Sequence, residues 1–253
     1  MTSPLAVLPM AGDSLLHYLF EADSWSWTNP DGFPHRVLEH LGYTAVSMLI
    51  ALVIALPIGL LIGHTGRGSF LAISVGNAGR ALPSLGVVVL ALLLIGLGRA
   101  PVVVALVVLA IPPILTTTYA GVRAVSRATV DAARGVGMTE WQIVRSVEIP
   151  NALPIILGGI RNAALQVVST ATIAAYLGEG GLGRYLFDGL ARRDYPLVVG
   201  GGVVLAVLAV LIDQLLALVQ RAVVSPGVDG RALSGNHTAD AAVVADRKTQ
   251  VYL

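Results

Sequence analysis

Across 253 residues, 55% are hydrophobic and 12% are charged, against the ~25% charged share of soluble domains, and several apolar runs pass the ~18 residues that mark a membrane helix, so the chain is expected to be an all-α integral membrane protein. The formal net charge is +1, and no basic run is long enough to cover a phosphate backbone, which argues against nucleic acid as a partner. Cysteine is absent, which excludes disulfides, thiolate metal sites and cysteine nucleophiles.

In chain order, residues 1–42 read as an N-terminal interfacial segment. Met1 to Leu19 lacks a basic leader and a clear cleavage site, so it is not read as a cleaved signal peptide. From Phe33 to Leu41, Val37, Leu38 and Leu41 recur at helical spacing between Arg36, Glu39 and His40, the pattern of a short amphipathic helix lying in the interface. Tyr18, Trp25 and Trp27 suit an interfacial belt or simple packing on the first span.

Five spans are expected within 43–222: about Tyr43–Gly63, Leu71–Gly98, Pro101–Val122, Ala152–Leu177 and Leu197–Gln220. The second is long and holds Arg80 and Pro83. Its first turns suit a separate slanted helix, and six spans is the alternative count. Residues 223–253 show no periodicity and read as a disordered cytoplasmic tail. Placing the polar loop after the third span inside puts Arg67, Arg123, Arg127, Arg134, Arg145 and Arg221 in the cytoplasm and Arg36, Arg99, Arg184, Arg192 and Arg193 outside, a bias in the direction of the positive-inside rule.

That loop is the one polar stretch in an apolar sequence. It runs from Asp131-Ala132-Ala133 through Gly137-Met138-Thr139-Glu140-Trp141 to Ile149-Pro150. A helical, charged loop between two spans has the character of a docking surface. Small Ala132 and Ala133 permit close approach, and Gly137 lets the chain turn between two short helices. Met138, Trp141 and Val144 supply apolar knobs, and Pro150 is expected to end the loop helix before the next span.

The spacing resembles the cytoplasmic coupling loop of ABC importer permeases, E-A-A, three residues, G, nine residues, I, one residue, L, P. Asp131 stands at the Glu position, Val147 and Ile149 replace Ile and Leu, and Ala132, Ala133, Gly137 and Pro150 match. Arg80-Ala81-Leu82-Pro83-Ser84-Leu85, Gly137 to Ile143 with Ile149 to Pro154, and Ala171 to Gly183 are similar to the osmoprotectant permeases within that family. The resemblance covers about 40–222 and implies a type I ABC importer transmembrane domain. It further implies a multi-pass subunit of the bacterial cytoplasmic membrane, surrounded by membrane lipid, that is not itself an enzyme. With no G-x-x-x-x-G-K-[ST] in the chain, ATP and Mg would be bound by a partner ATPase and no cofactor by this chain. A separate extracytoplasmic solute-binding protein and a second permease chain, identical or paralogous, are the other implied partners. The implied solutes are glycine betaine, choline, carnitine or proline, with methionine as the alternative.

The coupling-loop candidates are therefore Asp131, Ala132, Ala133, Gly137, Met138, Thr139, Trp141, Ile149 and Pro150. Arg80, Arg161 and Asp213 are candidates for a gate or pathway, because charge in lipid costs about 3 kcal/mol on insertion scales and is turned inward; Gln166, on the fourth span, is a candidate either to line that path or to hydrogen-bond between helices. Snorkelling and an interhelical ion pair are the plainer readings for Arg80, Arg161 and Asp213. The five His are scattered, so no metal site is expected. Gly178 to Gly183 fits G-x-G-x-x-G but follows a membrane helix rather than a strand. Asp188 to Arg192 is one residue short of a phosphatidyltransferase motif and lacks its other aspartates.

Overall fold

The computed structural model describes residues 19–224, and among them there is no strand. A 3-10 turn, Ala22–Trp25, precedes nine helices: α1 (Phe33–Thr65), α2 (Ser69–Ala81), α3 (Ser84–Ile95), α4 (Arg99–Ala124), α5 (Arg127–Gly135), α6 (Glu140–Ile143), α7 (Ile149–Thr170), α8 (Gly183–Arg192) and α9 (Tyr195–Val223). A π turn, Val144–Glu148, joins α6 to α7, and a 3-10 stretch, Ala171–Leu177, extends α7. Four of these helical runs are long and apolar enough to cross a membrane. The pair α2 and α3 passes the same test only when taken together and is bent by 97° at the break, so the described residues hold four spans, or five with the bent pair counted as one. The bend has a local cause: Leu82 is extended, as the residue before a proline tends to be, and Pro83 offers no N–H to continue α2.

The central helix is α4, which packs against α1, α2, α3 and α7. Its buried face, Ala105, Leu106, Ala110 and Ile114, meets Ala51 and Ala55 of α1 and Ala163 and Val167 of α7. Small side chains dominate because lipid supplies no hydrophobic drive for helix association, leaving close van der Waals approach to do it. Helix α1 comes close to α4 at Gly59-x-x-x-Gly63. A Cβ at Gly59 would lie 2.7 Å from Thr118 Cβ, and one at Gly63 would lie 2.7 Å from Val122 Cβ. The hydroxyls of Thr116, Thr117 and Thr118 are satisfied within α4, on the carbonyls of Pro112, Pro113 and Ile114.

One boundary read from the sequence moves. Phe33–Leu41 is not a separate interfacial helix but the first turns of α1. Pro34 sits in the opening turn, where its missing N–H costs nothing, and helix runs on through Gly42 into the span. The polar residues of that stretch turn inward instead of toward headgroups. His40 is fully buried, its Nε2 2.9 Å from the Val168 carbonyl oxygen, and Glu39 accepts from the Gly181 N–H at 2.8 Å. Tyr43 donates to Glu179 at 3.0 Å. The glycine-rich stretch is thus a turn docked on α1. Trp25 and Trp27 are largely exposed, with the Trp25 ring 5.0 Å from that of Phe33 in a tilted contact. Tyr18 and the tail from 225 onward lie outside the described residues.

Candidate functional site

The loop between α4 and α7 is built from short, strongly specified pieces. Helix α5 ends at Gly135, and Gly137 adopts φ +88°, a left-handed turn that side chains rarely tolerate. Thr139 then caps α6 reciprocally: its Oγ1 accepts from the Gln142 N–H, and Gln142 Oε1 accepts from the Thr139 N–H at 2.8 Å. Ile143 is fully buried and anchors the loop, while Trp141, two residues earlier, is 69% exposed. Ala133 is buried, whereas Ala132, Asp131 and Thr139 are exposed and Met138 and Ile149 partly so.

Pro150 does not end the loop helix. The Ile149 N–H bonds the Val144 carbonyl five residues back, and helix runs unbroken from Glu140 through Pro150 into α7. The wide π turn lies directly ahead of the proline, where the missing N–H and the bulky ring would otherwise disrupt a regular turn.

Charges knit this segment to the first span. Arg134 donates to both Glu140 oxygens at 2.9 and 3.0 Å and lies 3.3 Å from Asp131. These hydrogen bonds to Glu140 hold its guanidinium pKa above the ordinary value. His64, in the last turn of α1, places Nδ1 2.8 Å from Glu148 and Nε2 3.2 Å from Glu140. Neither His64 nor Glu148 stands out in the sequence, being 84 residues apart, and only the fold pairs them. Trp141, Val144 and Ile149 also line an apolar cavity of about 590 Å3 against Leu56, Pro57, Leu60 and Leu61 of α1.

The four gate candidates fall into two pairs. Arg80, at the α2–α3 bend, and Gln166, on α7, line one polar cavity of about 400 Å3 with Ser84, Thr116, Thr117, Asn162 and Thr170. Arg80 is its only ionisable lining group. Arg161 and Asp213 lie elsewhere, in a bidentate ion pair that ties α7 to α9. Arg161 and Gln166 are five residues apart, about 140° around the helix at 3.6 residues per turn, so they face different neighbours. Among the described residues no three His, Asp or Glu side chains gather to hold a metal ion. Asp188 is paired with Arg184 at 3.4 Å on its own helix.

Sequence comparison places this architecture. Residues 55–225 match the family model described as binding-protein-dependent transport system inner membrane component. The chain is 35% identical over 203 residues to the glycine betaine/carnitine/choline transport system permease protein OpuCB of Bacillus subtilis (strain 168), covering 80% of this chain and 94% of the relative. It is 38% identical over 181 residues to the osmoprotectant import permease protein OsmY of Salmonella typhimurium, covering 71% and 77%. Among solved structures, an inward-facing form of the MetNI methionine ABC transporter superposes with a TM-score of 0.66 at 26% identity, over 76% of this chain and 96% of that one. The chain therefore belongs to the family of binding-protein-dependent transport system inner membrane components, and it is a permease of the ABC importer type.

Proposed function

We propose that this chain forms the solute path of an ATP-driven importer for compatible solutes of the glycine betaine, choline, carnitine or proline kind. The observation that carries this reading is the similarity, over 80% of the chain, to a relative named for glycine betaine, carnitine and choline. Even five spans are too few to enclose a path, so two permease chains pair, and the polar cavity at Arg80 and Gln166 contributes to the passage between them. An ATPase subunit that binds ATP and Mg docks on each exposed α5–α6 segment, with Trp141 as its apolar knob. Closure of the ATPases moves these segments and opens the path outward to a solute-binding protein. The cavity lining holds no aromatic side chain, and quaternary ammonium recognition relies on aromatic cages, so solute choice resides mainly in the binding protein.

Radiolabelled uptake into proteoliposomes tests this, with permease, ATPase and binding protein present and a panel of solutes offered. ATP-dependent uptake of a betaine-like solute is expected. Methionine is the competing solute, favoured by the likeness to the methionine transporter structure. Transport of methionine with none of the betaine-like solutes would replace the substrate and leave the transporter class. Uptake driven by an ion gradient without the ATPase would reject the mechanism.

A further inference from the structure

We infer that His64 is the positioning residue that clasps the coupling segment to the first span, so that ATPase movement enters α1 through its imidazole. This rests on the reading of the α5–α6 segment as the ATPase dock. The ring sits in the last turn of α1 with its side chain 14% exposed, and each nitrogen faces a different carboxylate. Nδ1 meets Glu148, at the end of the π turn that leads into α7; Nε2 meets Glu140, the first residue of α6. Glu140 is in turn gripped by Nε and Nη2 of Arg134, in the last turn of α5. One ring therefore joins α5 and α6, the root of α7 and the end of α1.

The second contact separates a clasp from simple neutralisation. The Glu148 side chain is 6% exposed and needs a partner to be buried at all. The Glu140 side chain is 56% exposed and already paired with Arg134, so burial does not require His64 there. The Nε2 contact has no solvation reason to exist, yet it is the one that reaches the docking helix. The path continues inward, because the residue before His64 is Gly63, at a close α1–α4 approach. A displacement of α6 is thereby delivered to a close contact between α1 and α4.

The test uses the assembled transporter in proteoliposomes and measures solute taken up per ATP hydrolysed, together with ATPase co-purification. For His64→Ala, the ATPase is expected to remain bound and active while uptake per ATP falls by about tenfold, equivalent to about 1.4 kcal/mol of lost coupling. Glu148→Gln should lower the same ratio, and the double variant should be no worse than His64→Ala, since His64→Ala already removes the contact that Glu148→Gln weakens. His64→Gln retains one donor and should fall between wild type and His64→Ala; it decides the matter if His64→Ala does not accumulate in the membrane. A wild-type ratio in His64→Ala or His64→Gln, additive losses in the double variant, or loss of ATPase binding in His64→Ala would each overturn the clasp. The docking reading is tested separately by Trp141→Ala. If that variant keeps both ATPase binding and uptake, the dock is misplaced, whatever His64 does.

Discussion

Gly63→Ala should loosen the α1–α4 contact, and its cost follows from two distances. The new Cβ would lie 2.7 Å from Val122 Cβ and 3.0 Å from its Cγ1, against the ~3.5 Å or more of ordinary carbon contacts, so the helices must part by about 0.8 Å. Val122 is 4% exposed and β-branched, so it has little room or rotamer freedom to yield. Overpacking of this kind costs about 1–3 kcal/mol. Gly59→Ala meets Thr118 Cβ at the same 2.7 Å, and one separation of the helices relieves both clashes. The double variant should therefore lose less than the sum of the singles. Gly42→Ala, on the same helix with nothing within 4 Å of its Cβ, is the control. The assay is the unfolding midpoint of the detergent-solubilised protein in an SDS titration, with wild type and all four variants side by side. A Gly63→Ala midpoint equal to that of Gly42→Ala would refute the reasoning, because it would mean that the approach of α1 to α4 is not close.

Three other outcomes are expected. Arg161→Leu or Asp213→Leu alone should lower the unfolding midpoint, since each strands a charge between α7 and α9, whereas the double Leu variant should be at least as stable as either single; single variants that melt like wild type would show that the pair is solvated. Gly137→Pro, which forces φ near −65° where the chain needs +88°, and Ala133→Arg, which places a cation at a site 8% exposed, should leave membrane content unchanged but reduce ATPase co-purification and uptake; wild-type levels of both would unseat the coupling segment. Single cysteines introduced into this cysteine-free chain should react with an impermeant maleimide in intact cells at position 188 and not at 140, and the opposite pattern would invert the orientation.

Much of this protein is written locally. Four spans are long uninterrupted apolar runs, legible without knowledge of neighbours, and the break at Pro83 within the bent pair follows from what proline does to its own backbone. The coupling segment is also contiguous, with its turn glycine, its Thr139–Gln142 capping box and its exposed Trp141 all within a dozen residues. Local reading failed where local rules compete. Pro150 suggested a helix end, but a π turn absorbed it. The alternation at Phe33–Leu41 suggested an interfacial helix, but its polar face was spent on His40–Val168 and Glu39–Gly181 contacts inside the protein.

The tertiary structure alone decided which faces meet. A helix apolar on all sides carries no stripe to say which side is inside, because lipid and protein interior are alike to it. Arg80 and Gln166 share a cavity while Arg161, five residues from Gln166, turns to Asp213 on another helix; helical spacing puts Arg161 and Gln166 on different faces, but not which helix each face meets. The close approach at Gly59 and Gly63 is likewise set by the fold, which lays α1 against α4 there. The His64 contacts with Glu148 and Glu140 join residues more than seventy positions apart, and they exist because the fold returns the chain to the end of its first span.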